Sequence, residues 1–369
     1  MSKEYRVPFV DLAGQHTAIR DQILKAVGNV LNHGQFILGP EVHEFEERFS
    51  EYCGARYAVG VASGTDALFL SMKALNIGPG DEVITAPNSF LASASAIVLT
   101  GAKPVFVDVR DDYNLDPSQL ENVINIRSKA IIPVHLTGRP ARMDGVLDMA
   151  QKHGLAVIED AAQAVGAEFH GRRVGSFGIT GCFSLHPLKT LNACGDGGII
   201  TTDDETVYRY LLKARNHGLK SRNELPFWSL NSRLDTVQAA ILLEKMPYLD
   251  AWTEARRLNA IFYQERLADV VEVPADKPYE RSVYHTFIVQ TEKRDQLKSY
   301  LARKGIETGI HYPIPIHLQE AARGLGYRCG DFPAAERQAK RILSLPVWPG
   351  LREEQLEAVA RSIRNFFEC

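Results

Sequence analysis

The 369-residue chain has few cysteines, no excess of either charge and no apolar run long enough to cross a membrane. Its five cysteines, Cys53, Cys182, Cys194, Cys329 and Cys369, are odd in number and scattered. They lack the paired spacing of zinc sites and disulfide frameworks, so no metal is expected and a reducing compartment is. A net charge of -3 without a basic run offers no electrostatic footprint for nucleic acid or an anionic membrane, which leaves a smaller partner. The opening residues, MSKEYRVPFVDL, carry charge and no signal-peptide apolar stretch, making the cytoplasm the expected location. Internal repeats and low-complexity tracts are missing too.

What remains is globular in composition, with 45% hydrophobic and 24% charged residues. The length exceeds what one hydrophobic core usually serves, so a large domain over residues 1–255 and a smaller one over 256–369 are expected. Between Tyr57 and Thr202 short apolar runs alternate with amphipathic stretches, the pattern of βα units on a mostly parallel sheet. Strands are expected at Tyr57–Val61, Glu82–Ala86, Pro104–Val109, Ala130–Val134, Ala156–Ile158, Gly181–Ser184 and Gly198–Thr201. Before them, Val42, Phe45, Phe49 and Tyr52 recur at helical spacing and predict a packing helix over Glu41–Cys53. After Arg256 the reading is a strand at Ser282–Gln290, a helix at Arg294–Lys304, a short strand at Glu307–His311 and a terminal helix striped by Leu356, Val359, Ala360, Ile363, Phe366 and Phe367. That is a smaller α+β unit.

In open α/β sheets ligands gather beyond the carboxyl ends of the strands, and four such ends carry chemistry. SGTDAL (Ser63–Leu68) joins a strand to a helix through small residues, where free N–H groups at Gly64 and the Thr65 hydroxyl suit a phosphate; a plain N-cap is the alternative. IEDAAQ (Ile158–Gln163) ends a buried strand in two acids. Asp160 there could face the ring nitrogen of a pyridine cofactor, or could cap a helix or bind a metal. SLHPLK (Ser184–Lys189) sets a lysine in apolar surroundings that favour its neutral, nucleophilic amine, with Ser184 as a second hydroxyl for a phosphate; a solvated loop lysine is the alternative. Phe90 follows a further strand and could stack on a flat ring or fill the core.

Taken in order, these motifs resemble the DegT/DnrJ/EryC1/StrS family of nucleotide-sugar aminotransferases, together with GDGG (Gly195–Gly198), NSRLDTVQAA (Asn231–Ala240), HYPIP (His311–Pro315) and SLPVWP (Ser344–Pro349). The similarity runs from Phe9 almost to the C-terminus. It implies the α/β fold of type I enzymes of pyridoxal 5'-phosphate, with a seven-stranded sheet in the large domain. It further implies that Lys189 holds the cofactor and moves a proton, and that Asp160 pairs the ring nitrogen. By the same resemblance Gln163 lies near the 3-oxygen, Phe90 stacks on the ring, Gly64, Thr65 and Ser184 hold the phosphate, and Asn231 reaches it from the second subunit of a homodimer. Arg233, His311 and Tyr312 resemble nucleotide-sugar contacts, and His186 is a further candidate. The implied reaction moves an amino group from an amino acid, glutamate by resemblance, to a keto-sugar in amino-sugar biosynthesis.

Two departures bear on substrate preference: Ser229 and Leu230 stand where relatives often have Gly-Tyr, and His186 where an aromatic is common. The alternatives are a sugar dehydratase on the same fold, in which the resemblance would place histidine at position 189, and a non-catalytic nucleotide-sugar-binding regulator. Lys189 stands against the first. Retention of Lys189, Asp160, Gln163, Ser184 and Asn231 together stands against the second.

Overall fold

A computed structural model describes residues 5–368; residues 1–4, on which the reading of the opening segment partly rests, and Cys369 lie outside the described residues. The chain opens with α1 (Leu12–Thr17), α2 (Arg20–His33) and α3 (Pro40–Cys53), then β1 (Tyr57–Val61), α4 (Gly64–Ala74), β2 (Glu82–Thr85), α5 (Ala92–Leu99) and β3 (Lys103–Phe106). It continues through β4 (Ser128–Ile132), α6 (Met143–His153), β5 (Ala156–Asp160), the short β6 (Glu168–Phe169) and β7 (Arg172–Arg173), β8 (Thr180–Ser184) and β9 (Gly198–Thr202). Helices α7 (Glu205–Ala214), α8 (Thr236–Lys245) and α9 (Leu249–Leu267) follow. The last part holds β10 (Glu280–Arg281), β11 (Phe287–Gln290), α10 (Arg294–Arg303), α11 (Pro333–Arg341), β12 (Ile342–Leu345) and α12 (Glu353–Glu368).

Seven strands form the central sheet in the order β1-β9-β8-β5-β4-β2-β3. Strands β8, β5, β4, β2 and β3 pair in parallel, and β9 runs antiparallel to both its neighbours. Because helices cover both faces, the strands are buried on both sides, and this is why they read as continuous apolar runs rather than as alternation. On one face α3 and α8 bring Val42, Phe45, Phe49 and Leu242 against Phe183 and Ile199. On the other, α4, α5 and α7 bring Leu68, Ile97 and Leu211 against Val59, Ile132 and Ile158.

Helix α9 crosses from the first of these cores to a separate one. Leu249 packs with α3 and α8, whereas Ala260, Tyr263 and Leu267 pack with β11, β12, α10 and α12. Val7 of the N-terminal arm joins that second core. None of the helices among the described residues is long and apolar enough to cross a membrane.

Two expected strands differ from what forms. Only Phe287–Gln290 of the expected Ser282–Gln290 strand pairs in a ladder, because Val283 N and Thr286 N donate instead to Gly138 O and Thr137 O, at 2.9 and 3.3 Å. The expected strand Glu307–His311 is no strand: Glu307 N bonds Val7 O at 2.9 Å while Gly309 exchanges bonds with Ser344. Its backbone groups are divided between two partners, so no ladder grows.

Strand β5 ends in two carboxylates that point to opposite sides, as the period of two requires. The Glu159 carboxylate, fully buried, accepts from Gly175 N, Phe177 N and Gly178 N at 2.7–2.8 Å and meets His135 Nε2 at 3.0 Å. It is a structural clamp on the turn before β8. Glu159→Ala leaves these buried groups without a partner and should cost about 3 kcal/mol or more, measured by urea unfolding; a loss below about 1 kcal/mol would remove Glu159 from that role.

Candidate active site

The site lies at the carboxyl ends of β1, β5 and β8, in a cavity of about 380 Å³. Gly64, Thr65, Phe90, Asp160, Gln163, Ser184, His186, Lys189, His311 and Tyr312, all singled out from sequence, line it. Asn231 and Arg233 do not. Asn231 is exposed and bridges to Asn216, and Arg233 Nη1 donates to Asn216 Oδ1 at 3.0 Å.

The turn after β1 packs tightly against β8. Ser63 caps α4 by accepting from Asp66 N at 3.1 Å, and no described residue accepts from the amides of Gly64 or Thr65. Those amides therefore face the cavity at a helix N-terminus, where the macrodipole favours negative charge. A Cβ at position 64 would fall 2.8 Å from Ser184 Cβ, so glycine is what allows this turn to close on β8. The capping role thus falls to Ser63 and leaves the amides of Gly64 and Thr65 uncommitted among the described residues.

Asp160 is 5% exposed and burial drives its carboxyl above the usual carboxylate range. The Ser93 hydroxyl, donating to Oδ2 at 2.6 Å, opposes this most, followed by Ala162 N, which donates to Oδ1 at 3.2 Å, and by the Lys189 ammonium. Ser93 in turn accepts from Ser89 Oγ at 3.0 Å. Lys189 moves the other way: burial lowers its amine to about 8, against the pull of Asp160. Burial thus draws the two groups toward each other in titration, the acid upward and the amine downward.

The remaining wall is aromatic and imidazole. Phe90 stands 5.7 Å from Tyr312, ring centre to ring centre. Gln163 accepts from Thr137 N at 2.7 Å and donates to the Tyr312 hydroxyl at 3.3 Å, which fixes the orientation of its amide. His311 is lowered to about 4 by burial and by Lys189, and its Nδ1 lies 2.9 Å from Ser344 Oγ. His285, which sequence reasoning missed, also lines the cavity and is lowered well below its ordinary value by burial, then by Lys189 and Arg256. No motif marks it. Ser93, the second residue of α5, was missed as well; its partner Ser89 lies in the bend before the helix, so no helical spacing links the two in the sequence. No cluster of His, Cys, Asp and Glu among the described residues could hold a metal ion.

Comparison with known proteins agrees with this geometry. The model of the DegT/DnrJ/EryC1/StrS aminotransferase family matches residues 17–364. A protein of Acidithiobacillus ferrooxidans named UDP-N-acetyl-3-dehydro-alpha-D-glucosamine 3-aminotransferase is 45% identical, over 99% of this chain and 99% of its own. A Geobacillus stearothermophilus protein named pleiotropic regulatory protein is 42% identical, over 98% of each. The crystal structure of S. venezuelae DesV in complex with a ketimine intermediate superposes with a TM-score of 0.97 at 41% identity, covering 99% of both chains. The architecture is thus that of the α/β aminotransferases. This chain belongs to the DegT/DnrJ/EryC1/StrS aminotransferase family.

Ser93→Ala removes the strongest opposition to burial at Asp160, so the carboxyl moves further up. If Asp160 must be ionised for turnover, the acid limb of the kcat profile moves to higher pH and kcat at neutral pH falls about 10-fold. Ser93→Thr restores both. An unmoved acid limb in Ser93→Ala would show that this hydroxyl does not set the state of Asp160.

Proposed function

We propose that the protein is a pyridoxal-phosphate aminotransferase that moves an amino group from an amino acid to a keto-sugar carried on a nucleotide. One observation carries this reading: a desolvated amine at Lys189, a buried carboxylate at Asp160 and an anion-binding turn at Gly64, Thr65 and Ser184 all face one cavity. The donor set fits the cofactor end to end. The amides of Gly64 and Thr65, the Asp160 carboxyl and the Phe90 ring all line the cavity, the donor types that a phosphate, a ring nitrogen and a flat ring call for.

When bound, the cofactor supplies an electron sink for the negative charge that develops as the amino group is transferred. Asp160 would hold a proton at the ring nitrogen, because a buried carboxylate stabilises the cation beside it. Gly64, Thr65 and Ser184 would hold the phosphate, Phe90 would cover the ring, and Gln163 would meet the 3-oxygen. Lys189 Nζ would carry the cofactor and, once released, move a proton between the reacting carbons, a role that suits an amine lowered to about 8. His186, His311 and Tyr312 would face the sugar, and Arg233 its nucleotide. The donor is glutamate in this reading and the compartment the cytoplasm. Residues 1–255 and 256–369 form the two domains, the change falling inside α9.

A same-fold dehydratase would not be expected to keep the lysine. A purely binding role, suggested by the name of one relative, would require neither the lowered amine nor the ring acid. Borohydride treatment of the holoprotein should fix the cofactor on Lys189, located by peptide mass spectrometry, and Lys189→Ala should abolish transfer to a panel of nucleotide keto-sugars. Cofactor on a different lysine, or transfer surviving in Lys189→Ala, would sink the assignment.

The functional unit in this reading is a homodimer with two shared sites. Exposed apolar side chains on several segments, Leu24 at 57%, Leu31 at 62%, Leu99 at 67% and Trp228 at 90%, offer surface for a partner subunit. Asn231, outside its own cavity, is free to reach the other. Heterodimers of Lys189→Ala with an impaired Asn231→Ala chain should regain activity above either parent, since one of their sites carries neither lesion. A fully active monomer in sedimentation, or verified heterodimers without such a gain, would end the shared-site model.

A further inference from the structure

Lys245, the last residue of α8, is fully buried, and no carboxylate among the described residues pairs with it. Its ammonium donates to Asn192 O at 2.8 Å and to Asn192 Oδ1 at 2.7 Å. Asn192, itself 1% exposed, donates through Nδ2 to Lys189 O at 2.9 Å. Two turns earlier on the same face of α8, Gln238 brackets Cys194, accepting from its N at 2.8 Å and donating to its O at 3.3 Å. The segment that follows Lys189 is therefore tied to α8 at two points by side chains.

A buried ammonium without a counter-charge is costly, and burial lowers this one to about 8. What it provides is direction. An ammonium has three donors and no acceptor, so the face of the Asn192 amide turned toward it must be the oxygen. The NH2 is then left pointing at the Lys189 carbonyl. Without Lys245 the amide loses the two bonds that hold its oxygen side, and the bond that anchors the backbone of Lys189 is weakened with them.

We infer that Lys245 is a positioning residue, which through Asn192 holds the backbone of Lys189 so that its amine meets the cofactor and substrate in one orientation. The inference rests on Lys189 as the cofactor lysine. Lys245→Met keeps an unbranched side chain one atom shorter and removes the donors. It should lower kcat about 10- to 100-fold with KM for both substrates unchanged, and should shift the pH at which the visible band of the bound cofactor titrates. Asn192→Ala should give the same pattern, and decides the matter alone if Lys245→Met does not fold, as judged by circular dichroism of the apoprotein. The double variant should lose no more than the worse single, because both act through one link. Wild-type kcat and titration in the folded variants, a loss confined to KM, or losses that multiply in the double variant would overturn the inference. Borohydride mapping on the same preparations separates the two failures: cofactor on another lysine defeats the assignment of Lys189 and this inference with it, whereas cofactor on Lys189 with unaltered variants defeats this inference alone.

Discussion

Burial of the Asp160 carboxyl, set against the donors that oppose its effect, is the constraint around which the rest of the cavity is arranged. Desolvation favours the neutral form of such a group. The Ser89–Ser93 hydroxyl pair, the Ala162 amide and the Lys189 ammonium each restore part of what water would have given. The strand beneath must hold still for those bonds to matter, and Glu159, one residue earlier and facing the other way, secures it. Two adjacent acids thus divide the work, one facing the fold and one facing the chemistry.

The same economy extends to the two ends of the cavity. Ser232, just ahead of α8, donates to Asp66 Oδ2 at 2.7 Å and accepts from Ala62 N at 3.1 Å, so it steadies the turn that carries Gly64 and Thr65. The far end of α8 reaches the Lys189 segment. A single helix on the back of the sheet therefore registers the anion turn against the lysine. Burial on both sides makes such registration stiff, since packed side chains tolerate little displacement.

The sheet was legible because its strands are buried on both faces and punctuated by Gly and Pro; all seven lie where the apolar runs fall, with boundary shifts of a few residues. The paired motifs were legible for a chemical reason, as a phosphate, a ring nitrogen and an amine each need a distinct residue type at a strand end. What could not be read were features that depend on distant partners. Ser282–Thr286 has strand-like residues, yet its amides are claimed by the Gly138 loop, and Glu307–His311 is divided between Val7 and Ser344. His285 and Ser93 belong to no motif, and only the fold brings the first to the cavity and the second to Asp160. Which of the two acids in the IEDAAQ motif faces the site was likewise left open by spacing.

The N-terminal arm carries a consequence for the order in which the protein assembles itself during synthesis. Phe9 N donates to Glu307 Oε2 and stacks on His311, while Trp348 Nε1 donates to Pro8 O, contacts that join residues 298 and 340 positions apart. This arm is thus among the later parts to find its place, because its partners, 298 and 340 positions further on, are synthesised well after it. Closing loops of that length is also entropically slow. The wall of the cavity formed by His311 takes its final shape only at that late step, so a chain cut short before Glu307 would lack every one of these contacts to the arm.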